Sequence, residues 1–92
     1  MPDVFKALSD PTRREILRLL KQGELTAGAI SENFAMSKPS VSHHLSALKA
    51  VGLVNAERRG QEIVYSLDTT VFQDVVAYLL ELFGSPEGRD AR

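Results

Sequence analysis

The chain has 92 residues, 43% of them hydrophobic and 25% charged, and carries a formal net charge of −1. That length fits one domain, the composition excludes a disordered chain, and the lack of cysteine excludes a disulfide framework, a thiolate metal site and a thiol redox sensor together. The N-terminus lacks the basic start and apolar run of a signal peptide, and the longest apolar stretch, Val75 to Leu80, is far shorter than the roughly 20 residues of a membrane span, so a soluble cytoplasmic protein is expected, not one embedded in a membrane.

Residues 3–8 place Val4, Phe5 and Leu8 on one side of a short predicted helix. Ser9-Asp10-Pro11 breaks it and starts another. Asp10 can cap, and Pro11 sits where a missing N–H costs nothing. The second helix runs to about Gln22 with Ile16, Leu17 and Leu20 as its apolar stripe, and Gly23 stops it. Thr26 caps a short third helix that turns Ile30 and Phe34 inward. After the tight link Ala35-Met36-Ser37, a helix from Lys38 to about Val51 is expected, capped by Ser37 and carrying Pro39 in its first turn. Val41, Leu45 and Leu48 recur at spacings of four and three and define its buried stripe. Gly52 ends it.

The period then changes. Val54 and Ala56 alternate with polar neighbours, as do Ile63, Tyr65 and Leu67, around Arg59-Gly60-Gln61. That is a β-hairpin with glycine at its tip. Asp68 or Thr69 caps a last helix reaching Phe83, ended by Gly84-Ser85-Pro86. Residues 1–84 are expected to form one domain and residues 85–92 a polar, frayed tail. The order predicts a mainly α, α+β protein: a winged helix-turn-helix of five helices, with a two-stranded hairpin wing between the fourth helix and the last.

Charge is spread unevenly. Between residues 37 and 59, Lys38, Lys49, Arg58 and Arg59 stand against Glu57 alone. From residue 68 onward, Arg89 and Arg92 stand against Asp68, Asp74, Glu81, Glu87 and Asp90. One segment can face phosphates while the rest repels them. The fourth helix has the face a major-groove reader needs. With its apolar stripe inward, Lys38, Ser40, Ser42, His43, Ser46 and Lys49 point out as hydrogen-bonding groups. The first-turn N–H groups near Ser37 and Lys38 suit a phosphate, and Lys49 is placed for the DNA backbone. His43 and His44 are adjacent, hence about 100° apart, and cannot chelate one metal from one face. His44 lies beside the buried stripe and is read as structural. Arg58 and Arg59 before the hairpin tip suit a minor groove or phosphates, and equally protect an edge strand from aggregation.

The last helix is apolar on two sides. Val71, Val75, Tyr78, Leu79 and Leu82 form one stripe, and Phe72, Val76, Leu80 and Phe83 another. One core cannot cover both. With Val4, Phe5 and Leu8 from the first helix, they predict a two-fold dimer interface whose main members are Val4, Phe5, Leu8, Phe72, Val75, Val76, Leu79, Leu80 and Phe83.

Three stretches carry a family resemblance. They are Phe5-Lys6-Ala7-Leu8-Ser9-Asp10-Pro11-Thr12-Arg13-Arg14 with Ile16-Leu17 and Leu19-Leu20; Ser37-Lys38-Pro39-Ser40-Val41-Ser42-His43-His44-Leu45 with Leu48; and Val51-Gly52-Leu53-Val54 with Arg58-Arg59-Gly60 and Tyr65-Ser66-Leu67. Together they resemble the ArsR family of bacterial winged-helix repressors over nearly the whole chain. Thr69-Thr70-Val71 and Leu82-Phe83-Gly84 are most similar to its SdpR-type autorepressors. The resemblance implies a homodimer on a palindromic operator in double-stranded DNA. It assigns base reading to Ser40, Ser42 and His43, the wing contacts to Arg58, Arg59 and Gln61, and the dimer interface to the first and last helices. The SdpR-type likeness also implies a sequestering partner protein.

The chain departs from the metal-sensing members. Residues 24–36 hold no cysteine, and the last helix offers Asp74 and Glu81 without histidine, a poor donor set for zinc. Neither metal nor cofactor is expected. No catalytic triad spacing, phosphate loop or pocketed carboxylate pair points to an enzyme. The competing expectation is a winged-helix protein-interaction module that does not read DNA.

Overall fold

Two capped turns set the N-terminal half of the chain in the computed structural model, which describes residues 3–84. The Asp3 carboxylate accepts from Phe5 N–H at 2.9 Å and opens α1 (Val4–Leu8); Asp10 accepts from Arg13 N–H at 3.0 Å and opens α2 (Pro11–Lys21). Thr26 and Ser37 do the same for α3 (Ala27–Ser31) and α4 (Lys38–Ala50), at 3.1 and 3.2 Å. Asp68, rather than Thr69, caps α5 (Thr69–Phe83), accepting from Thr70 N–H at 3.0 Å. In each case the side-chain oxygen satisfies an amide that the helix itself leaves without a partner.

The core gathers Ala7 of α1, Ile16, Leu17 and Leu20 of α2, Ile30 of α3, Val41, Leu45 and Leu48 of α4, then Leu53 and Val54. These are the predicted stripes of α2 and α4 seen edge to edge. Leu53 is fully buried and is the hub of the C-terminal half. Its N–H donates to Leu48 C=O and its C=O accepts from Asp68 N–H, both at 3.0 Å, tying the end of α4 to the start of α5.

The hairpin pairs β2 (Val54–Arg59) with β3 (Glu62–Leu67), from Val54 opposite Leu67 to Arg59 opposite Glu62. Gly60 has φ +65° and no non-glycine residue among those described has positive φ, so Gln61 does not. A two-residue loop with positive φ at its first position only is a type II′ turn, whose twist matches the strands it joins.

The sheet has a third member that the sequence does not announce. Residues Leu25–Thr26, here β1, pair antiparallel with Tyr65 and Val64, giving the order β1-β3-β2. Two residues are too few to display an alternating pattern. β1 also corrects the expected alternation of β3. Ile63 is exposed near the hairpin tip opposite Arg58, unlike Tyr65 and Leu67 of the same alternation, which pack on the core, whereas Val64 is buried opposite Thr26, beside α3.

α5 leaves the body. Only its first two turns reach the core, through half-buried Val71 and Phe72, and none of its residues is buried. The described part of the chain measures 54 × 27 × 23 Å, with a radius of gyration of 15.4 Å. A compact domain of this length has about 12 Å. The expected tail, residues 85–92, lies outside the described residues.

Candidate nucleic-acid interface

α3, the turn after it and α4 form the helix-turn-helix unit, and α4 is its outer helix. Its buried stripe holds it against α2, α3 and β2. Every other polar side chain from Ser37 to Lys49 is exposed except His44. At about 100° per residue, Ser42, Ser46, Lys38 and Lys49 fall on one flank, His43 at the outermost line and Ser40 on the opposite flank. A helix placed in a major groove with this arc outward presents polar groups to both walls.

The hydroxyls of Ser37 and Ser40 are coupled. Ser37 Oγ accepts from Ser40 N–H as the cap, and the Ser37 hydroxyl donates to Ser40 Oγ at 3.0 Å. Ser37 is thereby committed to the helix. Ser40 keeps its own proton free to donate outward.

The wing cations differ from one another. Arg58 and Arg59 are successive strand residues and point to opposite faces. Arg58 donates to Gly60 C=O at 3.3 Å and is in no ion pair with a described residue. Arg59 is clamped. Its guanidinium donates to Glu57 at 2.8 and 3.1 Å and forms a two-pronged pair with Glu24, in the loop between α2 and β1. Glu24 foremost, then Glu57, pushes its pKa further up. Of the residues expected to make wing contacts, Arg58 and Gln61 are exposed without an ion pair to a described residue, while Arg59 ties the wing to the body. Glu24 carries no sequence signal for this role, since it lies 35 positions away.

His44 sits where the stripe predicts, with its side chain 18% exposed. Its Nδ1 lies 3.2 Å from an Arg13 Nη1. Guanidinium has donors only, so Nδ1 is the acceptor and the ring proton is on Nε2. Asp10, which caps α2, stands 3.8 Å from the same nitrogen. The Arg13 N–H bond holds the Asp10 carboxyl below its ordinary value of 3.8, against a smaller opposing effect of burial. His43 is exposed, its ring edge-on to His44 at 5.9 Å between centroids.

The predicted interface residues fall into two groups. Val4, Leu8 and Phe72 pack partly on the core, and Val75 is half-buried. Phe5, Val76, Leu79, Leu80 and Phe83 are exposed, together with Tyr78 and Leu82. Phe5 stacks at a tilt on Tyr78, 5.9 Å between centroids, joining α1 to α5. Among the described residues no three His, Asp or Glu side chains converge as a metal site, and no helix is long and apolar enough to cross a membrane.

Residues 10–56 match the family model described as "Bacterial regulatory protein, arsR family". The chain is 58% identical over 80 residues to the transcriptional repressor SdpR of Bacillus subtilis, spanning 87% of this chain and 89% of that protein. It is 37% identical over 84 residues to the arsenical resistance operon repressor of Staphylococcus xylosus, spanning 91% and 80%. Among solved structures, the ArsR-like transcriptional regulator from Rhodococcus sp. RHA1 superposes with a TM-score of 0.82 at 33% identity, over 96% of this chain and 81% of that one. HlyU from Vibrio cholerae superposes with a TM-score of 0.71 at 30% identity, over 89% of each.

Proposed function

The chain belongs to the arsR family of bacterial regulatory proteins, and on that premise we propose that it is a homodimeric transcriptional repressor that reads an inverted-repeat operator with α4. One observation carries the reading. The exposed arc of α4 and the neighbouring wing present Lys38, Lys49 and Arg58, none of them in an ion pair with a described carboxylate. Free cations beside a helix with short hydroxyl side chains serve two different needs. The cations neutralise phosphates, and Ser40, Ser42 and His43 address base edges. Ser37 and Lys38 lie at the α4 N-terminus, where unpaired amides and the helix dipole favour a phosphate. Arg58 and Gln61 extend the contact along the backbone, and Arg59 joins them only when it leaves its carboxylates.

The dimer rests on the exposed apolar surface of α5 and α1. Phe5, Val76, Leu79, Leu80 and Phe83 are large apolar groups in contact with water in the single chain, more than an isolated domain of this size keeps without a partner. A two-fold axis through this surface pairs two α4 helices, as an inverted repeat requires, with half-sites about 34 Å apart or a multiple of that. Residues 1–84 then act as one unit in the cytoplasm. Metal control forms no part of this reading, which rests on the absence of any cysteine thiolate from the chain.

The test is fluorescence anisotropy with duplexes from the promoter of the chain's own operon, across a salt series. A slope of log affinity against log salt of about −0.9 per phosphate contact is expected, steep enough to lose orders of magnitude between 50 and 200 mM. Equal, salt-insensitive affinity for every duplex would leave a protein-binding module in its place.

A further inference from the structure

α1 and α4 do not close on each other. An open groove separates them, lined by Asp3, Lys6, Ala7, Ala47, Ala50 and Val51. The small Ala47 and Ala50 side chains leave it unfilled. α1 itself has five residues, and only Ala7 is buried. Among the described residues, the Arg13 side chain hydrogen-bonds to both helices. Arg13 Nε donates to Ala7 C=O at 2.8 Å, Nη2 to Lys6 C=O at 3.4 Å, and Nη1 to His44 Nδ1 at 3.2 Å. Ala7 C=O is one that the end of α1 leaves without a helical partner, whereas Lys6 C=O also accepts from the Ser9 N–H and hydroxyl. The guanidinium thus caps α1 and holds α4 through one Nη1 N–H, while Asp10 fixes the Arg13 backbone.

The line continues to the other side. α1 holds α5 through Phe5 and Tyr78. A continuous line of contacts therefore runs from the exposed apolar helices, through Arg13, to α4. We propose that Arg13 and His44 are positioning residues that set the angle of α4 relative to the dimer axis, and hence the half-site spacing the protein accepts. The proposal rests on the operator-reading dimer argued above. Neither residue touches DNA in it. His44 acts as an acceptor, so any side chain presenting an acceptor at the Nδ1 position serves, and one without it does not.

The probe is the duplex that the wild-type chain selects from a random-sequence pool, and the same duplex with one central base pair inserted. The insertion turns one half-site by about a tenth of a helical turn, and wild type is expected to lose about tenfold or more in affinity. In His44→Leu, affinity for the selected duplex falls about tenfold and the penalty for insertion shrinks below about threefold, with the dimer intact by sedimentation. In His44→Asn, whose Oδ1 replaces Nδ1, both values return to within about threefold of wild type. Should His44→Leu not fold, Arg13→Lys replaces it: charge is kept, the three-way grip is lost, and the insertion penalty is expected to shrink likewise. The proposal is overturned if the variant without the grip keeps the full penalty, or if His44→Asn is damaged as far as His44→Leu. A wild-type chain that selects no duplex overturns the DNA reading itself, a distinct result.

Discussion

Asp10 shows how one residue serves both a helix and a site. Its carboxylate caps α2 through Arg13 N–H and is held in the ionised form by that bond. A carboxyl with a lowered folded pKa contributes stability that is complete above its unfolded value and is lost as pH falls through the folded one. Stability should therefore decline below about pH 4 partly through Asp10. Asp10→Asn keeps a capping oxygen but cannot titrate, so its acid limb should be flatter, while Asp10→Ala should cost about 1 kcal/mol at neutral pH. Urea unfolding across a pH series separates the two. Arg59 makes a second prediction at this scale. Glu24→Gln removes one of its two carboxylates and one negative charge near the wing, so DNA affinity at low salt should rise about two- to fivefold and the salt slope should steepen by up to about one contact. A fall in affinity would instead mean that the clamp presents the wing in its binding pose.

At the scale of elements, the link from α4 to β2 has the least freedom. Gly52 has φ +81°, and a Cβ built there would lie 2.9 Å from Val71 Cγ2 of α5. Both the backbone and the space exclude a side chain. Gly52→Ala should lose about 2 kcal/mol, seen as a lower denaturant midpoint with an unchanged slope, because α4, the hairpin and α5 meet at this point. The exposed arc of α4 separates two functions that binding data can distinguish. Ser42→Ala should relax preference at one base position and cost about 1–3 kcal/mol on the best duplex only, whereas Lys49→Ala should weaken all duplexes alike and reduce the salt slope by about one. Competition assays with single-base variants give the first result and a salt titration the second.

The whole molecule is elongated because α5 carries its apolar residues away from the core. Val76, Leu80, Leu82 and Phe83 are 43–68% exposed in the single chain. Hydrophobic burial contributes roughly 25 cal/mol per Å², so such a surface favours burial over exposure, and in the proposed dimer a second copy covers it. Replacing Leu79 and Leu80 by glutamate should yield folded monomers by analytical ultracentrifugation that have lost operator affinity, since a lone α4 reads one half-site. A dimer that survives both substitutions would place the interface elsewhere.

The chain order, the caps at Asp10, Thr26 and Ser37, the buried stripes of α2 and α4 and the exposed polar arc of α4 are all legible in the residues. Each depends on neighbours within a turn or two, where spacing and side-chain chemistry act directly. The same local logic identifies the two apolar sides of α5. What depends on residues far apart in the chain is decided by the tertiary structure alone. β1 exists because residues 25 and 26 happen to lie along β3, and Val64 rather than Ile63 is buried for the same reason. Arg59 looks like a free wing cation until Glu24 is brought beside it, and Arg13 like one more helix charge until its guanidinium is found between α1 and His44. A charged side chain's partner is a matter of three-dimensional position, and no periodicity records it.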